Sequence, residues 1–267
     1  MRIQFITIMT LCLAGCQSVE NSLVYHPSVP LAPYEAPPAP LQDVDLKLPD
    51  GTAIHARWAP HPQATNVILY CHGNGGDLES WMRPVSDAFQ QMQSSVLFFD
   101  YPGYGRSAGA PSEAGCYAAA EAAYRWLVEV QKVPPERVLL WGESLGGAVA
   151  VELASRKQHR ALVLVRTFTS LPEVGDDQMP LLPCSLLMTN RFDSLQRIGK
   201  CHSPVFVASA EEDRLVLPRH GQRLHAACSA AAELCVLRGI GHNDPLPGGF
   251  YDSLRAFLAA KAPVTPS

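Results

Sequence analysis

The sequence predicts an α/β fold with an open, doubly wound sheet of about eight mostly parallel strands and helices on both faces. Two observations lead to this prediction: short apolar runs alternate with longer helical stretches, and polar and apolar residues alternate on both sides of the turn Pro49–Gly51. Continuous apolar runs indicate strands that are buried on both faces, as in a parallel sheet. The runs are Asn66–Tyr70, Ser95–Asp100, Arg137–Trp141, Ala161–Val165, Val205–Ala210 and Glu233–Leu237.

The other elements follow from local patterns. Asp43–Leu48 and Ala53–Trp58 alternate in polarity and are expected to pair as a hairpin with one solvent-facing side. In Ser112–Val130, apolar residues recur every three or four positions, as in a helix that lies on a sheet. The predicted helices are approximately Leu78–Gln91, Ser112–Val130, Ser144–Ser155, Pro218–Ala227 and Phe250–Ala260. Ligands of such sheets bind at the carboxyl ends of the strands, so the site is expected there.

The composition is that of a globular protein. The chain has 267 residues, of which 47% are hydrophobic and 17% charged, and its formal net charge is -4. A domain of this type can absorb that length in a single core. Nucleic-acid binding uses clustered Lys and Arg, and the sequence has no such cluster, so nucleic acid is not expected as a partner. No His, Cys or Glu spacing indicates a metal site, and no cofactor is expected.

The N-terminus has the pattern of an export sequence. Met1 and Arg2 precede the apolar stretch Ile3–Leu13, which is too short to cross a bilayer because about 20 apolar residues are needed. The stretch Leu13–Cys16 resembles a bacterial lipoprotein cleavage box, in which the cysteine becomes the lipidated first residue. We therefore expect residues 1–15 to be a signal peptide and Cys16 to carry lipid, and an ordinary or uncleaved signal peptide is the alternative. Gln17 resembles the outer-membrane sorting pattern, which implies an exported, anchored protein that faces the periplasm.

Residues 16–42 are expected to link the lipidated cysteine to a catalytic domain over residues 43–267. Prolines recur between Pro27 and Pro40, and proline favours extended, polyproline-II-like chain. This segment is interpreted as a spacer that holds the domain away from a membrane. The alternative is an N-terminal arm that lies on the domain.

Six cysteines remain beyond Cys16, and the sequence does not determine whether they pair. Cys184 with Cys201, or Cys228 with Cys235, could form a bridge in an oxidising compartment, because each pair brackets a short connection. Cys71 lies within an apolar run and is interpreted as a small buried side chain.

The motif Gly142-Glu143-Ser144-Leu145-Gly146-Gly147 is the strongest indication of chemistry. It follows a predicted strand directly and opens a predicted helix. At such a sharp turn, the glycines permit tight packing and the serine hydroxyl projects above the sheet. Ser144 is therefore the candidate nucleophile.

A serine hydroxyl needs a base to remove its proton and an acid to orient that base. In this fold the acid and then the base follow the nucleophile along the chain. His242, in the glycine-flanked loop after the last strand, is the candidate base. Asp213 is the preferred acid after the penultimate strand, with the adjacent Glu211 and Glu212 as alternatives.

Two N–H groups are expected to bind the developing oxyanion. Leu145, which follows the nucleophile, is one expected donor, and Asn74 is the other, through its amide. The glycines of the loop His72–Asp77 allow close approach to a substrate. His72 is interpreted as a brace for this loop.

Together these motifs resemble those of the α/β-hydrolase superfamily. The order is similar to that of a lid-poor subgroup that includes eukaryotic protein depalmitoylases and is often grouped with serine aminopeptidase-like domains. The resemblance covers about residues 44–258 and implies the α/β-hydrolase fold with a short or absent lid. It implies Ser144 as nucleophile, Asp213 as acid, His242 as base, and Asn74 and Leu145 as oxyanion donors. The motifs that carry it are His72–Gly76, Asp100–Ser107, Gly109–Glu113, Gly142–Gly147, Arg191–Ser194, Glu212-Asp213 and Gly241–Asp244.

The sequence departs from these relatives at Glu143, where many of them have Arg, and lacks the cysteine-rich N-terminus of the depalmitoylases. The expected activity is hydrolysis of a carboxylic ester or thioester of a small-molecule or acylated substrate, through an acyl-enzyme. The apolar stretch Met179–Met188 could form an acyl groove or a helix packed on the sheet. An aminopeptidase is the enzymatic alternative, with Glu143 or Glu173 as candidates to bind a substrate amine. A non-catalytic binding lipoprotein is the alternative from another class.

Overall fold

A computed structural model describes residues 19–28 and 40–263, and its centre is an eight-stranded sheet. The order across this sheet is β10-β9-β8-β7-β4-β6-β3-β2. Strands β2, β3 and β6 pair in antiparallel fashion, and the other neighbours are parallel. The strands are β1 His26–Pro27, β2 Gln42–Lys47, β3 Ala53–Ala59, β4 Val67–Cys71, β5 Gly75–Gly76, β6 Ser95–Phe99, β7 Val138–Glu143, β8 Ala161–Val165, β9 Val205–Ala210 and β10 Ala232–Leu237.

Helices cover both faces of the sheet. Residues 19–24 are helical and are labelled α1. The others are α2 Met82–Met92, α3 Glu113–Arg125, α4 Leu145–Ala154, α5 Leu171–Gln178, α6 Cys184–Leu187, α7 Ser194–Ile198, α8 Pro218–Ala226 and α9 Gly248–Lys261. Alternate residues of β4 serve two separate cores, because successive side chains of a strand point to opposite faces. Val67, Leu69 and Cys71 pack with α3 and α4, whereas Ile68 and Tyr70 pack with α2 and α9.

The predicted sheet and hairpin are confirmed, and every predicted helix is present. The first helix begins later than predicted, at Met82, because Asp77 accepts hydrogen bonds from the N–H and hydroxyl of Ser80 and holds a turn there. The helix predicted over Ser112–Val130 changes to π-helical geometry at Trp126. Helices α5, α6 and α7 were not predicted, because each is too short to show a helical period.

The described part of the N-terminal segment lies on the domain. Val24 and Tyr25 are 6% and 4% exposed and belong to the core that α3 and α4 cover. β1 pairs in parallel with β5, and the Tyr25 hydroxyl donates a 2.7 Å hydrogen bond to Asn190 Oδ1. Residues 19–28 therefore form an arm on the domain, which is the alternative to a spacer for the described part of residues 16–42. The expected signal peptide, Cys16 and residues 29–39 lie outside the described residues.

The six cysteines of the described ranges are all free thiols. Neither sequence-based pairing, Cys184 with Cys201 or Cys228 with Cys235, is formed. Cys71 is fully buried in an apolar setting, and this burial raises the pKa of its thiol well above its usual range. The interpretation of Cys71 as a small buried side chain therefore agrees with its surroundings.

A buried histidine makes the domain sensitive to acid. His220 lies on α8, where its Nε2 is 3.0 Å from Oδ2 of Asp177 on α5 and its Nδ1 is 2.7 Å from the Thr169 hydroxyl. Burial lowers the pKa of His220 to about 4. Because the unfolded chain binds this proton more readily, the histidine's contribution is fully present above about pH 6.5 and is lost as the pH falls through about 4.

We expect the free energy of unfolding to fall by up to about 3 kcal/mol through this one group across that pH window, at about 1.4 kcal/mol per pKa unit. Chemical denaturation of the wild type and of His220→Gln at pH 7 and pH 4 measures the effect. The difference between the two pH values should be smaller in the variant. An equal difference in both proteins would contradict this assignment.

Candidate active site

Ser144 lies at the sharp turn between β7 and α4. Its backbone has φ 52° and ψ -119°, a strained conformation for a residue with a side chain. A Cβ at Gly142 would overlap the backbone of Gly146, and a Cβ at Gly146 would overlap the carbonyl oxygen of Cys71. Both positions therefore require glycine, and the tight approach that they permit holds Ser144 at the carboxyl edge of the sheet.

The structure brings the three residues that were predicted to act together into one hydrogen-bonded chain. The Ser144 Oγ is 3.0 Å from His242 Nε2, and His242 Nδ1 is 2.7 Å from Asp213 Oδ2. The other carboxylate oxygen of Asp213 accepts hydrogen bonds from the N–H groups of Leu215 and Val216, at 2.9 and 2.8 Å. Asp213 is thus fixed on both oxygens and buried.

The two alternative acids, Glu211 and Glu212, do not contact the His242 ring through their side chains. Glu211 and Glu212 are both exposed. The Glu211 carboxylate accepts a hydrogen bond from the N–H of Gly239, and the His242 ring contacts Asp213. Of the three adjacent carboxylates, Asp213 is therefore the one that orients the histidine.

The two predicted oxyanion donors are Leu145, which follows Ser144 directly, and Asn74, in the loop after β4. Leu145 is the first residue of α4, where a helix leaves its N–H groups without intrahelical partners. The loop after β4 lies alongside, because a Cβ at Gly73 would come within 3.6 Å of Ser144 Cβ. The side-chain amide of Asn74 points the other way and donates to the carbonyl of Val24. This contact engages the side-chain amide, so the predicted role falls to the backbone N–H of Asn74.

The N-terminal arm holds this loop from outside. The Asn74 carbonyl accepts hydrogen bonds from the His26 N–H at 3.0 Å and from the Tyr104 hydroxyl at 2.7 Å. His72, at the base of the loop, is buried, and its Nδ1 is 2.7 Å from the Gly73 carbonyl. Burial lowers the pKa of His72, which keeps the ring neutral in its role as a brace. No local pattern indicates that the arm contacts the loop, because the pairing of β1 with β5 joins two dipeptides that are far apart in the chain.

Glu20 fastens the arm at its other end. Its carboxylate accepts hydrogen bonds from the N–H groups of Thr189 and Asn190, the Thr189 hydroxyl and the Asn190 side-chain amide, at 2.7 to 3.0 Å. Partial burial favours the neutral acid, but these hydrogen bonds outweigh it and lower the pKa of Glu20. The contribution of Glu20 is therefore present above its ordinary pKa and is lost as the pH falls through the lowered value.

Replacement of Glu20 by Gln should release the arm. Hydrogen bonds to a charged group contribute about 1.5 to 3 kcal/mol each, so we expect a loss of about 2 kcal/mol or more in unfolding free energy. Hydrogen exchange of the amides of residues 19–28 should become faster. Glu129→Gln, at an exposed position outside the arm, is the matched control and should leave exchange unchanged. Unaltered exchange in Glu20→Gln would show that the arm is held by other contacts.

A buried ion pair joins the nucleophile turn to the histidine loop. Arg166 and Glu143 are 6% and 5% exposed, and the guanidinium contacts the Glu143 carboxylate directly. The same guanidinium donates to the carbonyl oxygens of Asp244, at 2.6 Å, and Gly241, at 3.3 Å. Those carbonyls bracket His242, so Arg166 holds the loop that carries the candidate base. Sequence reasoning missed Arg166, although the unusual Glu143 beside the nucleophile indicated that a buried cation was needed.

Replacement of Arg166 by Gln should misplace His242. A displacement of about 1 Å in a reacting group can lower the rate by about 10²-fold, so kcat for a soluble ester should fall by that order while KM changes little. Thermal unfolding identifies variants that fail to fold, because an unpaired buried Glu143 is itself destabilising. Arg156→Gln, which removes an arginine from a surface ion pair with Glu121 and Glu152, is the control. A folded Arg166→Gln protein with unchanged kcat would contradict the positioning role.

The connection between β8 and β9 contains the three short helices α5, α6 and α7. The segment Met179–Met188 is neither a packed helix nor a closed groove, because Leu181 is 96% and Leu186 83% exposed. It adjoins the site: the Gln178 side chain at the end of α5 donates to the carbonyls of Arg214 and Leu215, directly after Asp213. The helix-on-sheet interpretation of this segment is therefore wrong.

The two carboxylates considered for binding a substrate amine are both occupied. Glu143 is held by Arg166 and by the Tyr70 hydroxyl, which lies 2.8 Å away. Glu173 contacts Arg223 and accepts a hydrogen bond from the Thr169 hydroxyl at 3.0 Å.

Over residues 19–28 and 40–263, no group of three or more His, Cys, Asp or Glu side chains could hold a metal ion. Within the same ranges, no helix is sufficiently long and apolar to traverse a bilayer.

Comparisons with known proteins agree with this architecture. The sequence profile of the alpha/beta hydrolase fold matches residues 66–186. An uncharacterised protein of Mycobacterium tuberculosis is 39% identical over 251 residues, which cover 92% of this chain and 89% of that protein. The alpha/beta hydrolase domain-containing protein 17B of Xenopus laevis is 31% identical over 199 residues, which cover 74% of this chain and 68% of that protein. The chain therefore belongs to the α/β-hydrolase family.

Solved structures of low sequence identity share the fold. The Pyrococcus furiosus esterase Pf2001 superposes with a TM-score of 0.73 at 19% identity, over 90% of this chain and 98% of the esterase. A puromycin-hydrolysing peptidase of Mycobacterium tuberculosis superposes with a TM-score of 0.63 at 17% identity, over 87% of this chain and 41% of the peptidase. Both esterase and peptidase chemistry therefore occur on this fold, and the choice between them depends on the site.

Proposed function

We propose that the protein is a serine hydrolase that cleaves a carboxylic ester or thioester through an acyl-enzyme. The observation that supports this most directly is the continuous chain from Ser144 Oγ through the His242 ring to the Asp213 carboxylate, at 3.0 and 2.7 Å. His242 Nε2 takes the proton from Ser144 as the hydroxyl attacks the carbonyl carbon, and then gives it to the leaving alcohol or thiol. Asp213 holds the ring and stabilises the imidazolium.

The backbone N–H groups of Leu145 and Asn74 bind the oxyanion in both tetrahedral intermediates. Such donors are effective because they are fixed before charge develops, and each one contributes about 10²- to 10³-fold to the rate. The hydrogen bond from the His26 N–H of the arm to the Asn74 carbonyl supports this fixed geometry. Water then attacks the acyl-enzyme with His242 as the base, which frees the carboxylic acid and restores Ser144.

An ester or thioester is preferred over a peptide as the substrate. A peptidase that acts on a free N-terminus needs a carboxylate free to bind the amine, and Glu143 and Glu173 are both engaged in ion pairs. The motifs resemble those of protein depalmitoylases, which supports a thioester or ester of a fatty acyl group. The acidic overall composition and the exposed apolar segment beside Asp213 are consistent with a neutral acyl substrate.

We also propose that Cys16 is lipidated after removal of residues 1–15 and that the protein is anchored to the outer membrane on its periplasmic face. The cleavage-box pattern and Gln17 support this proposal. Two or more acyl chains would give a stable anchor, because each buried CH₂ contributes about 0.8 kcal/mol. Mass spectrometry of the N-terminal peptide from membranes tests it directly, since lipid on Cys16 and absence of residues 1–15 are both read from one mass.

The activity is tested with a series of soluble acyl esters and the matching thioesters, alongside aminoacyl amides. We expect turnover of esters and thioesters with a pre-steady-state burst of the leaving group, which marks an accumulating acyl-enzyme. The amides should not be hydrolysed at a comparable rate. Amide cleavage without ester cleavage would favour the peptidase, and a folded protein that turns over neither class would favour a binding role.

A further inference from the structure

The exposed large apolar side chains are concentrated on two adjoining segments. On α1, Val19 and Leu23 are 61% and 65% exposed, and residues four apart lie on the same side of a helix. On the segment after α5, most of the exposed area comes from leucines. These leucines are Leu181 at 96%, Leu182 at 49%, Leu186 at 83% and Leu187 at 63%. We call these six side chains together the apolar face.

Contacts of known length place the two segments beside each other. Glu20, next to Val19, accepts the N–H groups of Thr189 and Asn190, which lie two and three residues beyond Leu187. The twelve residues Met179–Asn190 carry no charged side chain. A charge-free, strongly exposed segment of this kind is unusual on a soluble surface and marks a place of contact with an apolar partner.

The position of Cys16 identifies the partner. Val19 is three positions beyond Cys16, and an extended chain spans at most about 3.6 Å per residue, so the Cys16 backbone that would carry the lipid lies within about 11 Å of that of Val19. Because the arm is fastened to the domain by Glu20 and β1, the anchor cannot hold the domain at a distance. We infer that the apolar face lies in the surface of a lipid bilayer, with the active site opening toward it.

This inference rests on the lipid anchor proposed above and adds an orientation to it. Gln178, which precedes the charge-free segment, is hydrogen-bonded to the loop that follows Asp213. The apolar face therefore borders the catalytic residues. A substrate whose acyl chain is embedded in the same bilayer reaches Ser144 without crossing bulk water, whereas a soluble ester reaches it from solution.

The orientation is tested with the full-length, lipid-modified protein in phospholipid vesicles that contain bromine-labelled acyl chains. Leu186→Trp adds a fluorophore to the apolar face. Val130→Trp adds one at an exposed position in the connection that leads into the amino-terminal end of β7. Bromine quenches only tryptophan that enters the bilayer. Relative to the wild type, the added fluorescence of Leu186→Trp should be quenched by the labelled lipid, and that of Val130→Trp should not.

Equal quenching at the two positions, or none at either, would overturn the inference. Hydrolysis of a soluble short-chain ester by both variants checks that their fold and the proposed activity are intact. If the wild type itself does not hydrolyse this ester, the proposed function fails, whatever the quenching shows. Absence of lipid on Cys16 together with failure to float with vesicles would overturn both the anchor and the orientation.

A double replacement tests the consequence for substrates. Leu181→Ser/Leu186→Ser should lower hydrolysis of a long-chain thioester embedded in the vesicles by at least about tenfold, because a buried leucine typically contributes more than that factor in partitioning. Hydrolysis of the soluble ester should be unchanged. Equal rates for the embedded thioester in variant and wild type would show that the face does not contact the bilayer. Binding of another protein to the apolar face of the wild type, without quenching of Leu186→Trp by the labelled lipid, would also contradict the inference.

Discussion

Replacement of Ser144 by Ala should abolish hydrolysis of soluble esters. The proposed acyl-enzyme forms through the Ser144 Oγ, and no other hydroxyl is within hydrogen-bonding distance of His242 Nε2 in the described part of the chain. We expect kcat to fall by about 10⁴-fold or more, because Ser144, His242 and Asp213 act together and the loss of the nucleophile disables all three. The measurement is steady-state kinetics on the ester series, with thermal unfolding to show that the variant is folded.

The same design tests whether Ser144 and His242 act together. Residues that act as a unit are strongly non-additive, so Ser144→Ala/His242→Ala should be about as inactive as either single variant. Ser107→Ala, which replaces a buried hydroxyl that accepts the N–H of His55, is the matched control and should retain activity if it folds. Ester turnover by Ser144→Ala close to that of the wild type would refute the proposed nucleophile.

Replacement of Asp213 by Asn should have the second largest effect. The Asp213 carboxylate receives the His242 Nδ1–H at 2.7 Å, and its other oxygen is held by two backbone N–H groups. An amide in that setting either offers the ring an N–H or breaks the contacts with Leu215 and Val216. In both cases the histidine loses the tautomer that accepts the serine proton, and kcat should fall by about 10⁴-fold.

Glu212→Gln is the matched control, because Glu212 is adjacent in sequence but exposed. It makes the same change from carboxylate to amide and should leave kcat within about twofold, as expected for a surface site. If Glu212→Gln lost activity and Asp213→Asn did not, the acid would be wrongly assigned. The comparison therefore tests the choice among the three adjacent carboxylates directly.

The sheet and the positions of the site residues were accessible from the sequence because their patterns are local. A continuous apolar run such as Val205–Ala210 identifies a strand buried on both faces, and the glycines around Ser144 identify a turn where backbones must touch. The carboxyl ends of neighbouring parallel strands lie at one edge of the sheet. Residues that follow those strands, such as Asp213 and His242, are therefore brought together by topology alone.

The features that were missed depend on contacts between distant residues. The prolines that recur between Pro27 and Pro40 predict a spacer, whereas residues 19–28 are held on the domain by the contacts of Glu20 with Thr189 and Asn190 and by a strand pair of two residues. Arg166 follows a buried strand like any other residue, and only the fold shows that it reaches Glu143 and the histidine loop. Local patterns carry no information about such partners.

The most direct test of the account is labelling of the purified protein with a fluorophosphonate probe, followed by mapping of the modified residue by mass spectrometry. An activated serine attacks the probe and forms a stable adduct, whereas an ordinary hydroxyl does not react. We expect one adduct in the wild-type protein, on Ser144. The Ser144→Ala variant should form none, and the Asp213→Asn variant should form it much more slowly. A folded wild-type protein that remains unlabelled, or that is labelled at another serine, would contradict it.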